Sequence, residues 1–316
     1  TVFLFFVSLT AYGVLTHRAL LSGAWSPSGR SNFLTFTICY ILAIGAAYVM
    51  VSRYVPMILG VLSIVAVCGA VGMGAPAASA LFLLSSMVLG RALMFDADRS
   101  GQATPLNMIF SVLLGAVIYM TLVGWTAMFP VHYPLVHAVA LFIPLIIWQR
   151  TAGDCILSIA NLFKAHEWKN VWDYGGFALA AFGSIAYLIN AVLLPQVNSD
   201  AVVLHLAVPS LVAINHDWSF DVSRFVFAVV PLGGSWIILP AYLLGGEFAA
   251  RLINFSFFLI ILALLYLAAR RFLSVSAAWL VTALFASTPL LLMETGNIFI
   301  ENFLVTFLFA AALSVV

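Results

Sequence analysis

Long apolar runs separated by short polar breaks make up most of this chain. Runs close to the roughly 20 residues that cross about 30 Å of hydrocarbon fall at 33–52, 55–74, 77–95, 105–128, 131–149, 175–195, 248–269 and 274–293, with two more at 1–16 and 298–316. None alternates with period two, and in lipid every backbone donor and acceptor needs an internal partner, so these runs predict helices and not a barrel. The expected fold is all-α, a polytopic transmembrane helical bundle of about ten spans with an outer juxtamembrane loop region. Residues 225–245 are the exception, because Pro231, Gly233, Gly234 and Pro240 interrupt the pattern; they are assigned to a juxtamembrane or re-entrant piece. Between 151 and 174, Asp154, Lys164, His166, Glu167, Lys169 and Asp173 mix with Ile156, Leu157, Ile159, Leu162, Phe163 and Trp168, the composition of a cytoplasmic amphipathic linker. It divides an N-terminal six-helix module, 1–150, from a core at 175–316, which is expected to be C-terminally incomplete because the last run is cut at Val316.

Composition removes the soluble alternatives. Hydrophobic residues are 65% of the 316 and charged residues 7%, with a mean hydropathy of +1.17, more than one globular core could hide. A net charge of +1 without a basic run argues against nucleic acid, whose phosphates require clustered cations. Cys39, Cys68 and Cys155 have no ligand or disulfide spacing. Orientation follows from Lys and Arg being retained inside: Arg53, Arg91, Arg99, Arg150, Lys164, Lys169, Arg270 and Arg271 all fall inside in one topology, at the cost of Arg18, Arg30, Arg224 and Arg251 at the outer boundary. Asp200, His205, His216, Asp217, Asp221, Glu294 and Glu301 then share the outer side.

With 11 acidic residues in the whole chain, the outer acids carry the candidate chemistry. Asp200 fits a general base for an acceptor hydroxyl, and equally an N-cap of the apolar segment after Asn198-Ser199-Asp200. Glu301 lies inside the last apolar run, where an ionisable group is costly and functional by default, unless it is a first-turn acid favoured by the helix dipole. His205 fits a proton shuttle or phosphate contact, against the commoner packing histidine. Arg224 and Arg251 fit a lipid-phosphate site, against simple snorkelling. His216, Asp217 and Asp221 do not have recognised metal-ligand spacing, so no metal residues are assigned, and a divalent cation is compatible with the chain without being required by it. Nucleotide loops, zinc His pairs and nucleophile elbows are absent.

The ordered segments Asp200-Ala201-Val202-Val203-Leu204-His205-Leu206-Ala207-Val208-Pro209, Val230-Pro231-Leu232, Leu244-Gly245-Gly246-Glu247-Phe248-Ala249-Ala250-Arg251-Leu252, Ala269-Arg270-Arg271, Ser287-Thr288-Pro289 and Gly296-Asn297-Ile298-Phe299-Ile300-Glu301 resemble the GT-C superfamily of polyprenyl-phosphate-sugar glycosyltransferases. The bacterial relatives of protein O-mannosyltransferases and lipid A aminoarabinose transferases are the most similar in kind. Over 175–316 the resemblance implies sugar transfer from a polyprenyl-phosphate donor on the non-cytoplasmic face of a bacterial inner membrane. Asp200 would be the catalytic acid of the first outer loop and Glu301 a second acid, with His205, Arg224 and Arg251 on the substrate. Its partners would be the bilayer, the lipid-linked sugar and other membrane proteins. Leu204 stands where the family has Tyr, Val230 where it has Pro, and Glu301 where it commonly has Asp. Two alternatives stay open: a catalytically silent membrane subunit and a lipid- or proton-coupled transporter.

Overall fold

A computed structural model describes residues 27–94, 104–162, 168–193, 201–219 and 232–315. The expected span at 1–16, and Asp200, Asp221, Arg224, Lys164, His166 and Glu167, lie outside the described residues. The chain divides into two compact units, Thr1–Ser52 and Arg53–Val316. In the first, α1 (Pro27–Val51) exposes Ile38, Ile41, Leu42, Val49 and Met50, a surface suited to lipid.

The second unit contains α2 (Val55–Val71), α3 (Gly74–Leu93), α4 (Pro105–Thr126), α5 (Pro134–Ile147), α6 (Gln149–Leu162) and α7 (Val171–Leu193). A single π-helical turn, Ala201–His205, then leads into α8 (Ala207–Asn215), followed by α9 (Gly233–Ala269), α10 (Val275–Ala286), α11 (Pro289–Gly296) and α12 (Glu301–Val315). No strand occurs among the described residues, so the all-helical class stands. Five described helices are long and apolar enough to cross a membrane, or up to seven if each of two bent pairs is one span. The chain is therefore an integral membrane protein by the length and apolarity of its helices.

The two bent pairs explain where single runs become two helices. Residues 131–149 and the following polar stretch fold as α5 and α6 at 92° to one another, and 274–293 folds as α10 and α11 at 64°. Pro289 is the first residue of α11, a position that needs no N–H donor, and the residue before a proline resists helix. The amphipathic segment is helical over Gln149–Leu162, and the next helix begins already at Val171.

Residues 233–245 are helical, against the expected interruption. Pro240 sits inside the helix, and the break comes at Gly246, with φ 69° and ψ −161°, a region open essentially to glycine alone. The break is sharp. An added Cβ at Gly234 would strike Ile300 and Phe303, while Asn254 bonds Thr295 and Asn302. A straight helix would separate Gly234 from Asn254 by about 30 Å, so the two halves of α9 double back onto the same turn.

Close backbone approach holds α3 against α4. An added methyl at Gly90 would overlap the Ser111 carbonyl, and one at Gly115 would overlap the Ser86 carbonyl. Each helix thus presents a Ser-x-x-x-Gly pair to the other, the small-residue packing that substitutes for hydrophobic drive in lipid. Ser85 ties this pair to α5: its hydroxyl donates to the Leu141 carbonyl at 2.6 Å and lies 2.7 Å from the Tyr119 hydroxyl. The second half of α9 runs beside α3, where the Ser79 hydroxyl meets the Ala249 carbonyl at 3.1 Å. Phe82, Ile253, Phe257 and Leu264 fill the shared core.

Candidate functional site

A carboxyl pair forms where α11 hands over to α12. Glu294 lies in the last turn of the short helix α11, Glu301 begins α12, and their side chains stand within hydrogen-bonding reach of each other. Burial first, and then the neighbouring Glu301 carboxyl, push the Glu294 carboxyl up to about 7. Glu294 lies in the last turn of α11, where the helix C-terminus also disfavours an anion. Glu301 is exposed and Glu294 half-buried.

The turn between them is held tightly. The Phe299 amide donates to the Glu294 carbonyl at 3.1 Å, and the fully buried Ile298 takes φ 54°, a conformation β-branched residues rarely adopt. Beneath it, the Asn254 amide donates to the Thr295 carbonyl at 3.1 Å. The Asn302 amide reaches the Asn254 side-chain oxygen at 3.1 Å and the Thr295 hydroxyl at 3.0 Å. These side chains are buried, and a satisfied polar network in apolar surroundings fixes one arrangement. Thr295 and Asn302 flank Glu294 and Glu301 in sequence, so the network sets the spacing of the acids.

Two further elements meet this turn. From α7, Asn190 lies so close to Gly296 that a Cβ there would overlap its amide. From α9, Arg251, 1% exposed, donates to the Asn190 carbonyl at 3.1 Å, approaches Glu247 at 3.4 Å and lies over the Phe248 ring at 5.6 Å. The two terminal guanidinium nitrogens are thus engaged by protein groups, and of this ion pair only Glu247, 43% exposed, reaches the surface. The His205 ring packs edge-on against Phe299 at 5.8 Å.

Of the five residues singled out from sequence, His205, Arg251 and Glu301 therefore converge on one turn, while Asp200 and Arg224 lie outside the described residues. Sequence reasoning placed Glu294 on the outer side without giving it a role of its own, and it left out Asn190. The signal for Glu294 was its place at the head of Glu294-Thr295-Gly296-Asn297, a turn that returns the chain toward Glu301. Asn190 carried none.

His216 and Asp217 belong elsewhere. His216 caps α8 with φ 65° and stacks on Tyr133 at 3.9 Å, and its carbonyl accepts from the His132 amide. His132 Nδ1 lies 3.0 Å from His137 Nε2, and His132 Nε2 lies 3.1 Å from the Thr126 carbonyl. Burial holds the His132 imidazole below its usual range, although the Thr126 carbonyl and Asp217 pull the other way. Among the described residues no group of three or more His, Cys, Asp or Glu side chains comes together to hold a metal.

Comparison with protein-family models, with curated proteins and with solved structures found no match to this chain.

Proposed function

We propose that this protein is a membrane glycosyltransferase that moves a sugar from a polyprenyl-phosphate donor to an acceptor on the non-cytoplasmic face, and that the turn carrying Glu294 and Glu301 belongs to its active site. The observation that supports the reading is the close pair of Glu294 and Glu301 carboxyls on a braced turn, joined by His205 and Arg251 from two other elements. In the proposed reaction the acceptor hydroxyl attacks the anomeric carbon, the bond from that carbon to the phosphate oxygen breaks, and the configuration inverts. The hydroxyl proton passes to Asp200, the base implied by the family resemblance, and the polyprenyl phosphate departs with the bonding pair. In its protonated form, favoured by burial, Glu294 donates a hydrogen bond to the phosphate. Arg251 acts as a positioning residue, steadying Asn190 and Glu247. The proposed location is a bacterial inner membrane with this turn facing outward.

The carboxyl pair also favours one rival, a proton-coupled transporter, because acids in apolar bundles serve as proton relays. One experiment separates the two and also covers a silent subunit. Membranes containing the full-length protein are given polyprenyl-phosphate-linked radiolabelled sugar, and transfer is followed for the wild type, Asp200→Asn and Glu301→Gln, with thermal stability in detergent as the folding control. Loss of transfer in both folded variants is expected. Wild-type transfer by either variant removes that acid from the reaction, and no transfer by the wild type with any lipid-linked sugar overturns the enzyme reading.

A further inference from the structure

At the other end of the bundle, with Tyr266 about 22 Å along α9 from Arg251, a cavity of about 820 Å³ opens between α3, α4, α6, α7, α9 and α10. Leu83, Met87, Ile109, Ile159, Phe177 and Leu267 line it. Its hydroxyls are already engaged: Ser184 donates to the Ala180 carbonyl, Thr282 to the Ala278 carbonyl, and Tyr266 pairs with Arg270. The indole nitrogen of Trp279 is an unpaired donor in a lining that is otherwise almost wholly apolar. Its volume lies within the ~300–1,000 Å³ typical of ligand sites.

The rim is of opposite character. Arg270 is bonded to Tyr266 of the wall. Arg91 follows Met87 by four residues, one helical turn on the same face, and Arg271 lies in the turn just past the end of α9, its amide bonded to the Ala268 carbonyl. Arg91 is also near enough to Cys155, beside the wall residue Ile156, to act on its thiol electrostatically. The Ser79 contact to Ala249 and the approach of Gly245 to Ala75 make α3 and α9 parallel here, so all three arginines stand at the same end. Asp154 and Asp173 offset part of this charge: Asp154 acts on the Cys155 thiol, and Asp173, which accepts from the Ser276 hydroxyl at 2.5 Å, acts on the Tyr266 hydroxyl. A net positive rim above an apolar cleft matches one chemistry.

We propose that this cavity is a binding site for an anionic glycerophospholipid, its acyl chains in the cleft and its headgroup against Arg91, Arg270 and Arg271. This site is separate from the carboxyl turn and does not depend on the sugar-transfer reading. The α6 helix, bent 92° from α5, supplies a wall from the side, as an interfacial helix does.

Native mass spectrometry of the full-length protein in mild detergent, titrated with dioleoyl phosphatidylglycerol or dioleoyl phosphatidylcholine, tests the proposal. The wild type should retain the anionic lipid preferentially, and Arg270→Gln with Arg271→Gln should lower that preference roughly 30-fold, from the contribution of two cations near a lipid surface. Ala263→Phe, which fills the cleft, should lose both lipids. Equal retention of the two lipids by the wild type overturns the headgroup assignment, and undiminished binding by folded Ala263→Phe overturns the cavity. If Ala263→Phe does not fold, the arginine pair, on exposed side chains, still decides: an unchanged preference sinks the proposal.

Discussion

Substituting alanine for Gly115 should destabilise the protein, while the same change at Gly153 should stabilise it. Both glycines are inside helices. At Gly153 an added Cβ meets nothing within 4 Å, so only propensity acts, and alanine gains about 1 kcal/mol. At Gly115 the new methyl would overlap the Ser86 carbonyl, carbon and Cα. These are backbone atoms, which cannot rotate away, so α3 and α4 must separate. Overpacking costs about 1–3 kcal/mol, and rigid opposing atoms place this case near the top. Separation also pulls Ser85 from Tyr119, a 2.7 Å contact. Offsetting about 3 kcal/mol with the gain of about 1 from propensity leaves a loss of about 2 kcal/mol. At about 2–4 °C per kcal/mol, thermal unfolding in one detergent should move down for Gly115→Ala and up for Gly153→Ala. Shifts of the same sign would refute the claim that backbone contact between α3 and α4 organises the bundle.

Gly246→Ala should cost about 1–3 kcal/mol through backbone strain alone, since nothing lies within 4 Å of a Cβ there; a neutral thermal shift would mean that α9 is not broken at that residue. Acid should weaken the protein through His132. Its folded proton affinity lies below the unfolded one, so below the unfolded pKa of about 6.5 the unfolded chain binds the extra proton and stability falls with pH. Comparing thermal unfolding at pH 8 and pH 5 for the wild type and His132→Asn should show a smaller loss in the variant, and equal losses would exclude His132 as the source.

Much of the helical plan was legible because length and apolarity are strong constraints in lipid: the runs at 55–74, 77–95 and 105–128 reappear as α2, α3 and α4 within a few residues. The errors share a cause. Pro240 looked like a breaker, yet its fixed φ suits a helix and membrane helices accommodate the missing donor, while the break fell at Gly246, whose permissiveness leaves no mark in an apolar pattern. The bend at 147–149 was likewise hidden at the end of an apolar run, whereas the one at 286–289 falls on Ser287-Thr288-Pro289, whose proline marks it. At the site, Glu301 stood out as an acid in an apolar run. Its partnership with Glu294 depends on an unusual φ at Ile298 and on side chains from α9, which local spacing does not report. Asn190 is one polar residue in an apolar helix, and only the approach of Gly296 gives it meaning.

The buried amide of Asn254 also imposes an order on synthesis. Its partners at Thr295 and Asn302 are 41 and 48 residues later in the chain, so α9 leaves the ribosome before anything can satisfy that amide. An unpaired amide in hydrocarbon is costly, so the second half of α9 has to stay near water, or against the insertion machinery, until the turn from 294 to 301 arrives. The turn that carries the acids is thus also the element that completes the pairing of α9.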